Sequence, residues 1–259
     1  MIVITEDGGG TALDLAVTAL REARLAVALT GAGISVGSGI PDFRSRDGLW
    51  SRFPPDEYAT LDVFRADPVK AWHLFRALAR ILRNKQPNPA HFALAEIERQ
   101  GVLHGIVTQN IDGLHQLAGS RTVLEIHGEH RHLHCLRCGV MVPVPDEDVG
   151  TDDLPRCASC RYPLKPNVVL FGEAVRAMGE IDALVKRCDL LLVIGTSAQV
   201  YPAAGLIPAV KRNGGVIFEF NREQALGGFA FGGREVLTDY YFQGDAGKTL
   251  PLLLQALQS

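Results

Sequence analysis

Four cysteines in two pairs, Cys135/Cys138 and Cys157/Cys160, carry the clearest chemical signal in the sequence. Two residues separate the thiols of each pair, and 18 residues (139 to 156) separate the pairs, which is the spacing of a four-thiolate zinc site. Four thiolates fill a tetrahedral shell and leave no position for water or substrate. Such a zinc would be structural, stabilising a segment with little core of its own. Unligated free thiols are the alternative. A second candidate is the turn Gly31-Ala32-Gly33-Ile34-Ser35, which follows the apolar run Leu25 to Leu29. Glycine lets backbone N–H groups approach a pyrophosphate, and a following helix start adds partial positive charge. The turn lacks the third glycine of a dinucleotide fingerprint, since Val36 holds that place, and Asp42 arrives too early for the expected acid. A purely structural turn is the other reading. Asn110 and Asp112 share a polar loop after a further apolar run, where residues of this type also simply form turns, and the same holds for Asp42 and Arg44. His127 ends the run Val123 to Ile126 and precedes Gly128, a place where an imidazole can take a proton near neutral pH. His130, His132 and His134 read as surface residues of a hairpin leading into the cysteine segment.

These groups need elements to position them. Thr11 to Ala23 has the apolar spacing of an amphipathic helix, with Thr11 as its cap. Asp67-Pro68 starts a helix that Trp72, Leu74, Phe75, Leu78, Ile81 and Leu82 continue. Pro87 and Pro89 close it, and a second helix runs from about Ala90 to Gln100. Strands are predicted at 25–29, 102–107, 167–171, 190–194 and 216–220, with helices near 177–187, after Pro202 and at 246–257. Asp239, Tyr240 and Tyr241 read as loop and packing residues. Between His127 and Lys165 no element looks longer than a few residues. Strands alternating with helices imply a parallel sheet covered on both faces, whose ligands bind beyond the carboxyl ends of the strands. Four such ends carry glycine-rich or polar loops: Gly31 to Ser35, Gln109 to Asp112, Gly195-Thr196-Ser197 and Asn221-Arg222. The expected fold is α/β, a Rossmann-like parallel sheet with a smaller domain made of a zinc module and a helical insertion. The corresponding division is 1–38, 102–127 and 165–259 for the nucleotide-binding domain, 39–101 for the cofactor loop and helical insertion, and 128–164 for the zinc module.

Composition excludes other classes. The 259 residues are 47% hydrophobic and 21% charged, which suits a folded chain and not a disordered one. A net charge of −3 lacks the basic excess of a dedicated nucleic-acid binder. Acids Asp146, Glu147, Asp148, Asp152 and Asp153 inside the cysteine segment argue against a zinc ribbon that grips nucleic acid. The longest aliphatic run, Leu190 to Ile194, falls far short of the roughly 20 residues that span a bilayer, and no secretory signal is visible. A cytoplasmic monomer with no membrane or nucleic-acid partner is the expectation.

Taken in order, the motifs resemble those of the sirtuin family, bacterial type, over nearly the whole chain. Gly31-Ala32-Gly33-Ile34-Ser35 with Gly39-Ile40-Pro41-Asp42-Phe43-Arg44 resembles its nucleotide-binding opening. Thr108 to His115 resembles its second motif, and Glu125-Ile126-His127-Gly128 its catalytic histidine motif. Lys165 to Glu173 is similar to its substrate-strand motif, and the cysteine pairs to its zinc module. The resemblance implies an NAD-dependent protein-lysine deacylase acting on acyl-lysine proteins and releasing nicotinamide and 2'-O-acyl-ADP-ribose. It places Gly31, Ala32, Gly33, Ile34, Asp42, Phe43, Arg44 and Trp50 around the pyrophosphate and nicotinamide ribose. Gln109, Asn110, Ile111 and Asp112 would surround the nicotinamide, with Asn110, Asp112 and His127 catalytic. Gly195, Thr196, Ser197, Asn221, Arg222, Glu223 and Ala246 would hold the adenosine half. A structural Zn2+ would sit on the four cysteines. The substrate peptide would add a strand between Val168, Val169, Phe171, Gly172, Glu173 and a second edge at Val200 and Tyr201.

One departure bears on specificity. Family members that remove acidic acyl groups carry a tyrosine and an arginine three residues apart in the first insertion helix, where this chain has Phe75 and Leu78. Without the arginine no fixed charge pairs a succinyl carboxylate, so an apolar acyl pocket is expected. Bare NAD cleavage, ADP-ribosyl transfer and a catalytically idle nucleotide sensor are the rival readings. The zinc module and the Phe171-Gly172-Glu173 strand argue against the first, which has no peptide to hold, and intact Asn110, Asp112 and His127 argue against the last.

Overall fold

Apolar runs without polar interruption need cover on both faces, and the central strands have it. The computed structural model describes residues 1–8, 10–43, 48–145, 153–227 and 236–259. Its strands are β1 (Ile2–Thr5), β2 (Ala26–Thr30), β3 (Leu103–Thr108), β4 (Val123–Glu125), β5 (Gly128–Cys135), β6 (Met141–Pro143), β7 (Leu164–Val168), β8 (Leu190–Ile194), β9 (Val216–Asn221) and β10 (Tyr240–Gln243). Seven form one parallel sheet in the order β1-β10-β9-β8-β2-β3-β4. Period-two alternation splits the side chains between two layers. Ala26, Ala28, Leu190, Leu192 and Ile194 pack under the helices Thr11–Glu22, Pro89–Arg99 and Ala246–Gln258. Val27, Leu29, Leu191 and Val193 pack under Met178–Val185 and Ala203–Arg212 on the other face.

β5 lies between β6 and β7 in a separate antiparallel sheet. β7 therefore leaves the main layer, so the small sheet takes in residues 165–168 that the sequence pattern groups with the large one. A third apolar core joins this sheet to the helical insertion. Phe64, Trp72, Leu74 and Phe75 from the insertion meet Leu133, Cys135, Leu164 and Val168 from the sheet. The Trp72 indole N–H donates to the Leu164 carbonyl at 2.8 Å and ties the two together. The insertion and the cysteine segment thus form one lobe.

Some local expectations change. Gly10, not Thr11, caps the first helix, and Thr11 is its first helical residue. Asp67 caps Pro68–Leu82 as expected, its side chain accepting from the Lys70 N–H at 3.0 Å. Pro89 opens the following helix, which Asn88 caps through the Ala90 N–H. β5 runs eight residues where only short elements were expected; it forms the expected hairpin with β6 into the cysteine segment, and His130, His132 and His134 lie along it half-buried instead of on the surface. β1 and β10 were not legible. β10 contains Tyr240 and Tyr241, and its Phe242 ring stacks on Phe220 at 4.2 Å. Asp239 fixes its start by accepting from Lys211 Nζ and the Ile217 N–H.

Candidate active site

β2 has β3 on one side and β8 on the other, so the chain leaves it in opposite directions and a crevice opens above the β2/β8 pair. The two loops bounding that crevice touch backbone to backbone. The Gly31 N–H donates to the Ile194 carbonyl at 3.0 Å and the Gly33 N–H to the Gly195 carbonyl at 2.8 Å. A Cβ on Gly33 would lie 2.6 Å from the Gly195 Cα, and one on Gly195 would lie 2.3 Å from the Ile34 nitrogen. Gly195 also has φ +59°, a left-handed conformation that side chains disfavour. These glycines serve the contact that shapes the crevice.

A cavity of ≈ 760 Å³ runs from this crevice across the strand ends into the second lobe. Gly31, Ala32, Gly33, Asp42, Phe43 and Trp50 line it near β2. Gln109, Asn110, Ile111 and His127 line it beyond β3 and β4. Gly195, Thr196, Ser197, Asn221, Arg222, Glu223 and Ala246 line the part beyond β8, β9 and β10. Phe75, Leu78, Val168, Val169, Phe171, Gly172 and Glu173 form the wall in the second lobe, with Val200 and Tyr201 also lining the cavity. Ile34 departs from this grouping: its side chain is buried in the core under the helices, and it offers its carbonyl to Asn88 Nδ2 at 2.7 Å. Arg44 lies outside the described residues. Asp112 opens on a small recess beside the main cavity, shared with Ser35, Asn110, Ile111 and Leu78.

That recess is a connected polar network. Ser35 Oγ donates to Asp112 Oδ2 at 2.7 Å and accepts from Asn110 Nδ2 at 3.2 Å. Asn110 Nδ2 also reaches the Gly31 carbonyl at 3.1 Å, and Asp112 Oδ1 accepts from the Leu114 N–H. Behind it, Thr30 Oγ1 bridges Thr108 at 2.8 Å and His115 Nε2 at 3.0 Å, and the His115 ring packs against His91. Burial pushes His115 down to about 3 and His91 down to about 4, so both rings are neutral at pH 7.

His127 occupies the two-residue link between β4 of the large sheet and β5 of the small one. Its Nδ1 lies 2.9 Å from the Gln109 carbonyl. A carbonyl only accepts, so Nδ1 carries the proton in the neutral ring and Nε2 carries the lone pair. An oriented imidazole in a partly enclosed cleft is equipped to act as a general base.

The sequence pattern of the Sir2 family matches residues 31–202. An NAD-dependent protein deacylase of Pyrococcus furiosus is 38% identical over 245 residues, covering 92% of this chain and 95% of the relative. The chain belongs to the Sir2 family. A solved Sir2 homologue variant in complex with 2'-O-acetyl ADP ribose superposes with a TM-score of 0.86 at 39% identity, covering 95% of this chain and 96% of the other. A Sir2 complex with a p53 peptide and NAD+ does so with a TM-score of 0.79 at 32% identity, covering 94% and 97%.

In this Sir2 chain the cysteines form two matching knuckles. The Cys135 N–H donates to the Val140 carbonyl and the Gly139 N–H to the Cys135 carbonyl, both at 2.9 Å. Cys157 repeats the pattern with Tyr162 and Arg161, again at 2.9 Å. Amides of Arg137 and Cys138 point at the Cys135 sulfur, and those of Ser159 and Cys160 at the Cys157 sulfur. Sulfur–sulfur separations of 3.5, 3.5 and 3.7 Å approach the roughly 3.8 Å that Zn–S bonds of about 2.3 Å give in a tetrahedron. The set fits a structural Zn2+. Metal analysis should return one zinc per chain, and a strong chelator should raise hydrogen exchange in β5 and around Cys157 while β2 and β8 stay protected. A zinc-free protein with the same protection pattern would contradict the assignment.

Residues that motif reading left out include Ala59, Leu74 and Glu219. Ser35, read only as part of the glycine turn, proves to link Asn110 and Asp112. Glu219 had a signal in the sequence, a carboxylate within the apolar strand Val216 to Phe220. It is wholly buried and accepts from Asn221 Nδ2, the Ala225 N–H and Thr238 Oγ1, so it orients the loop that carries Asn221. Ala59 and Leu74 line the cavity but carry no chemical signal in sequence.

Proposed function

We propose that this Sir2-family chain is an NAD-dependent protein-lysine deacylase that releases nicotinamide and 2'-O-acyl-ADP-ribose and prefers apolar acyl groups to succinyl. The observation that carries this reading is the position of His127, an oriented base at the seam between the crevice above the parallel sheet and the apolar wall of the second lobe. The named complexes of its relatives, one with a p53 peptide and NAD+ and one with 2'-O-acetyl ADP ribose, support the same classes of substrate and product.

The residues present fit a dinucleotide. The glycine contact keeps the crevice open beside the backbone of Gly31 to Gly33, the polar loops beyond β8 and β9 suit the adenosine half, and the Asn110–Asp112–Ser35 recess suits a carboxamide. NAD, when bound, supplies a ribose acceptor for the acyl group and nicotinamide as the leaving group. Gln109, Asn110 and Asp112 present oxygen and amide dipoles that stabilise positive charge on that ribose. Asp42, Phe43 and Trp50 cover the site, with Trp50 in ring contact with Phe43 at 5.0 Å and Phe171 at 6.4 Å. His127 Nε2 takes a proton from a ribose hydroxyl, while the Gln109 carbonyl holds the ring through Nδ1. The peptide lies extended along Val168 to Glu173, held first by its main chain.

Acyl preference follows from the wall. Ala59, Leu74, Phe75 and Leu78 present hydrocarbon to the cavity. Among the described lining residues the only arginine is Arg222, which follows β9 and is held by Asp245 at 2.7 Å. A succinyl carboxylate would lose its water with no counter-charge beside it. Matched acetyl-, butyryl-, myristoyl- and succinyl-lysine peptides, followed by mass spectrometry with and without NAD, test both parts. NAD-dependent loss of the neutral acyl groups should exceed succinyl loss by about 100-fold or more in kcat/KM. Succinyl removal at the acetyl rate would overturn the pocket assignment, and no acyl loss from any peptide would overturn the function.

A further inference from the structure

The substrate-facing strip, residues 168 to 173, follows a strand whose ladder is broken. The β5/β7 register shifts between Gly128 and Leu133, and Pro166 contributes no N–H. Lys165 sits at this break with no exposed surface. Its three ammonium protons find three acceptors: the Pro166 carbonyl at 3.2 Å, the Val168 carbonyl at 2.5 Å and Glu173 Oε2 at 3.0 Å. Glu173 Oε2 also accepts from the Leu170 N–H at 2.8 Å. The ion pair therefore grips the main chain on both sides of Val169. Burial works to lower the Lys165 pKa and the Glu173 carboxylate works against it. A buried ion pair adds little stability compared with apolar residues of the same shape, so its contribution is better sought in the geometry it fixes.

We infer that Lys165 and Glu173 act as a clasp that positions the substrate-binding strip, making Lys165 a positioning residue for peptide recognition and not for the dinucleotide. The inference rests on the deacylase reading above. Among the described residues, the main-chain hydrogen bonds of the clasp reach Pro166, Val168 and Leu170, whereas the loops beyond β2, β8 and β9 are held by contacts of their own. Losing the ammonium frees the Val168 carbonyl and the 170–173 turn while leaving the crevice intact.

The test compares wild type, Lys165→Met, Lys165→Arg and Glu173→Gln in steady-state turnover of one acetyl-lysine peptide, with zinc content and melting temperature measured alongside. Lys165→Met should raise the peptide KM by about 10- to 100-fold with the NAD KM within about twofold of wild type. Lys165→Arg, which keeps a buried cation able to reach the same acceptors, should recover most of that loss. If Lys165→Met does not fold, Glu173→Gln keeps the shape and one acceptor and should still raise the peptide KM selectively. An unchanged peptide KM in the folded variants, or peptide and NAD KM rising together, overturns the clasp. Absence of turnover in wild type removes the deacylase reading instead, and the clasp with it.

Discussion

His127→Ala should lower kcat for lysine deacylation by about 10²- to 10⁴-fold, roughly 3–5 kcal/mol of lost transition-state stabilisation, while the protein stays folded. The ring is half-buried at the edge of the cleft and its Nδ1 hydrogen bond runs to a main-chain carbonyl, so truncation opens space toward the cleft and not inside a closed core. Melting temperature should move by only a few degrees. The proposed role also separates the steps. In that role His127 would take a proton from the ribose after nicotinamide has gone, so a first turnover in the variant should still release nicotinamide while little free lysine forms. Full deacylation by His127→Ala would remove the base assignment. Loss of both nicotinamide release and folding would mean that the residue is structural.

Gly195→Ala carries the largest expected cost to structure. A methyl there meets the Ile34 nitrogen at 2.3 Å and the Gly33 carbonyl carbon at 2.6 Å, main-chain atoms that no side-chain rotation can clear, and φ is +59°. Backbone strain and overpacking together should cost about 3 kcal/mol or more, a fall in Tm of about 6–12 °C for a chain of this size. The crevice would open along the Gly33–Gly195 contact, so nucleotide binding should fail before the sheet does. Gly101→Ala supplies the comparison. Gly101 has φ +77° but open space around it, so it should lose only about 1 kcal/mol and keep full turnover. Equal melting temperatures and equal activities for the two variants would show that the loop contact does not shape the site.

Legibility in the sequence followed the length over which a signal is local. The strands at 26–30, 190–194 and 216–221 were readable because a run of apolar residues buried on both faces has few other uses. The cysteine set was readable because zinc geometry fixes spacing along the chain. β10 was not, because Tyr240-Tyr241 becomes a strand only by pairing with β9 and β1, contacts distant in sequence. Likewise the sequence reads a strand at 167–171, whereas β7 covers Leu164–Val168, and only its pairing with β5 sets those bounds and moves it into the small sheet. Among the site residues, Gln109 to Asp112 and His127 could be named from their places after strands. Ile34 could not be separated from its glycine-loop neighbours, since period-two reasoning fails in a 3₁₀ turn where its side chain rotates into the core. Ala59 and Leu74 line the cavity by packing alone, which leaves no mark on composition or spacing.

In the proposed reaction lysine is freed only as NAD is consumed, with the acyl group passing to the ribose. The most direct measurement is the stoichiometry of products from one acetyl-lysine peptide, with free lysine peptide, nicotinamide and acyl-ADP-ribose quantified together by mass spectrometry during the first minutes of reaction. Equal amounts of all three, and none without NAD, are the expected result. Nicotinamide and plain ADP-ribose accumulating while the peptide keeps its acetyl group, or free acetate appearing without NAD, would contradict it.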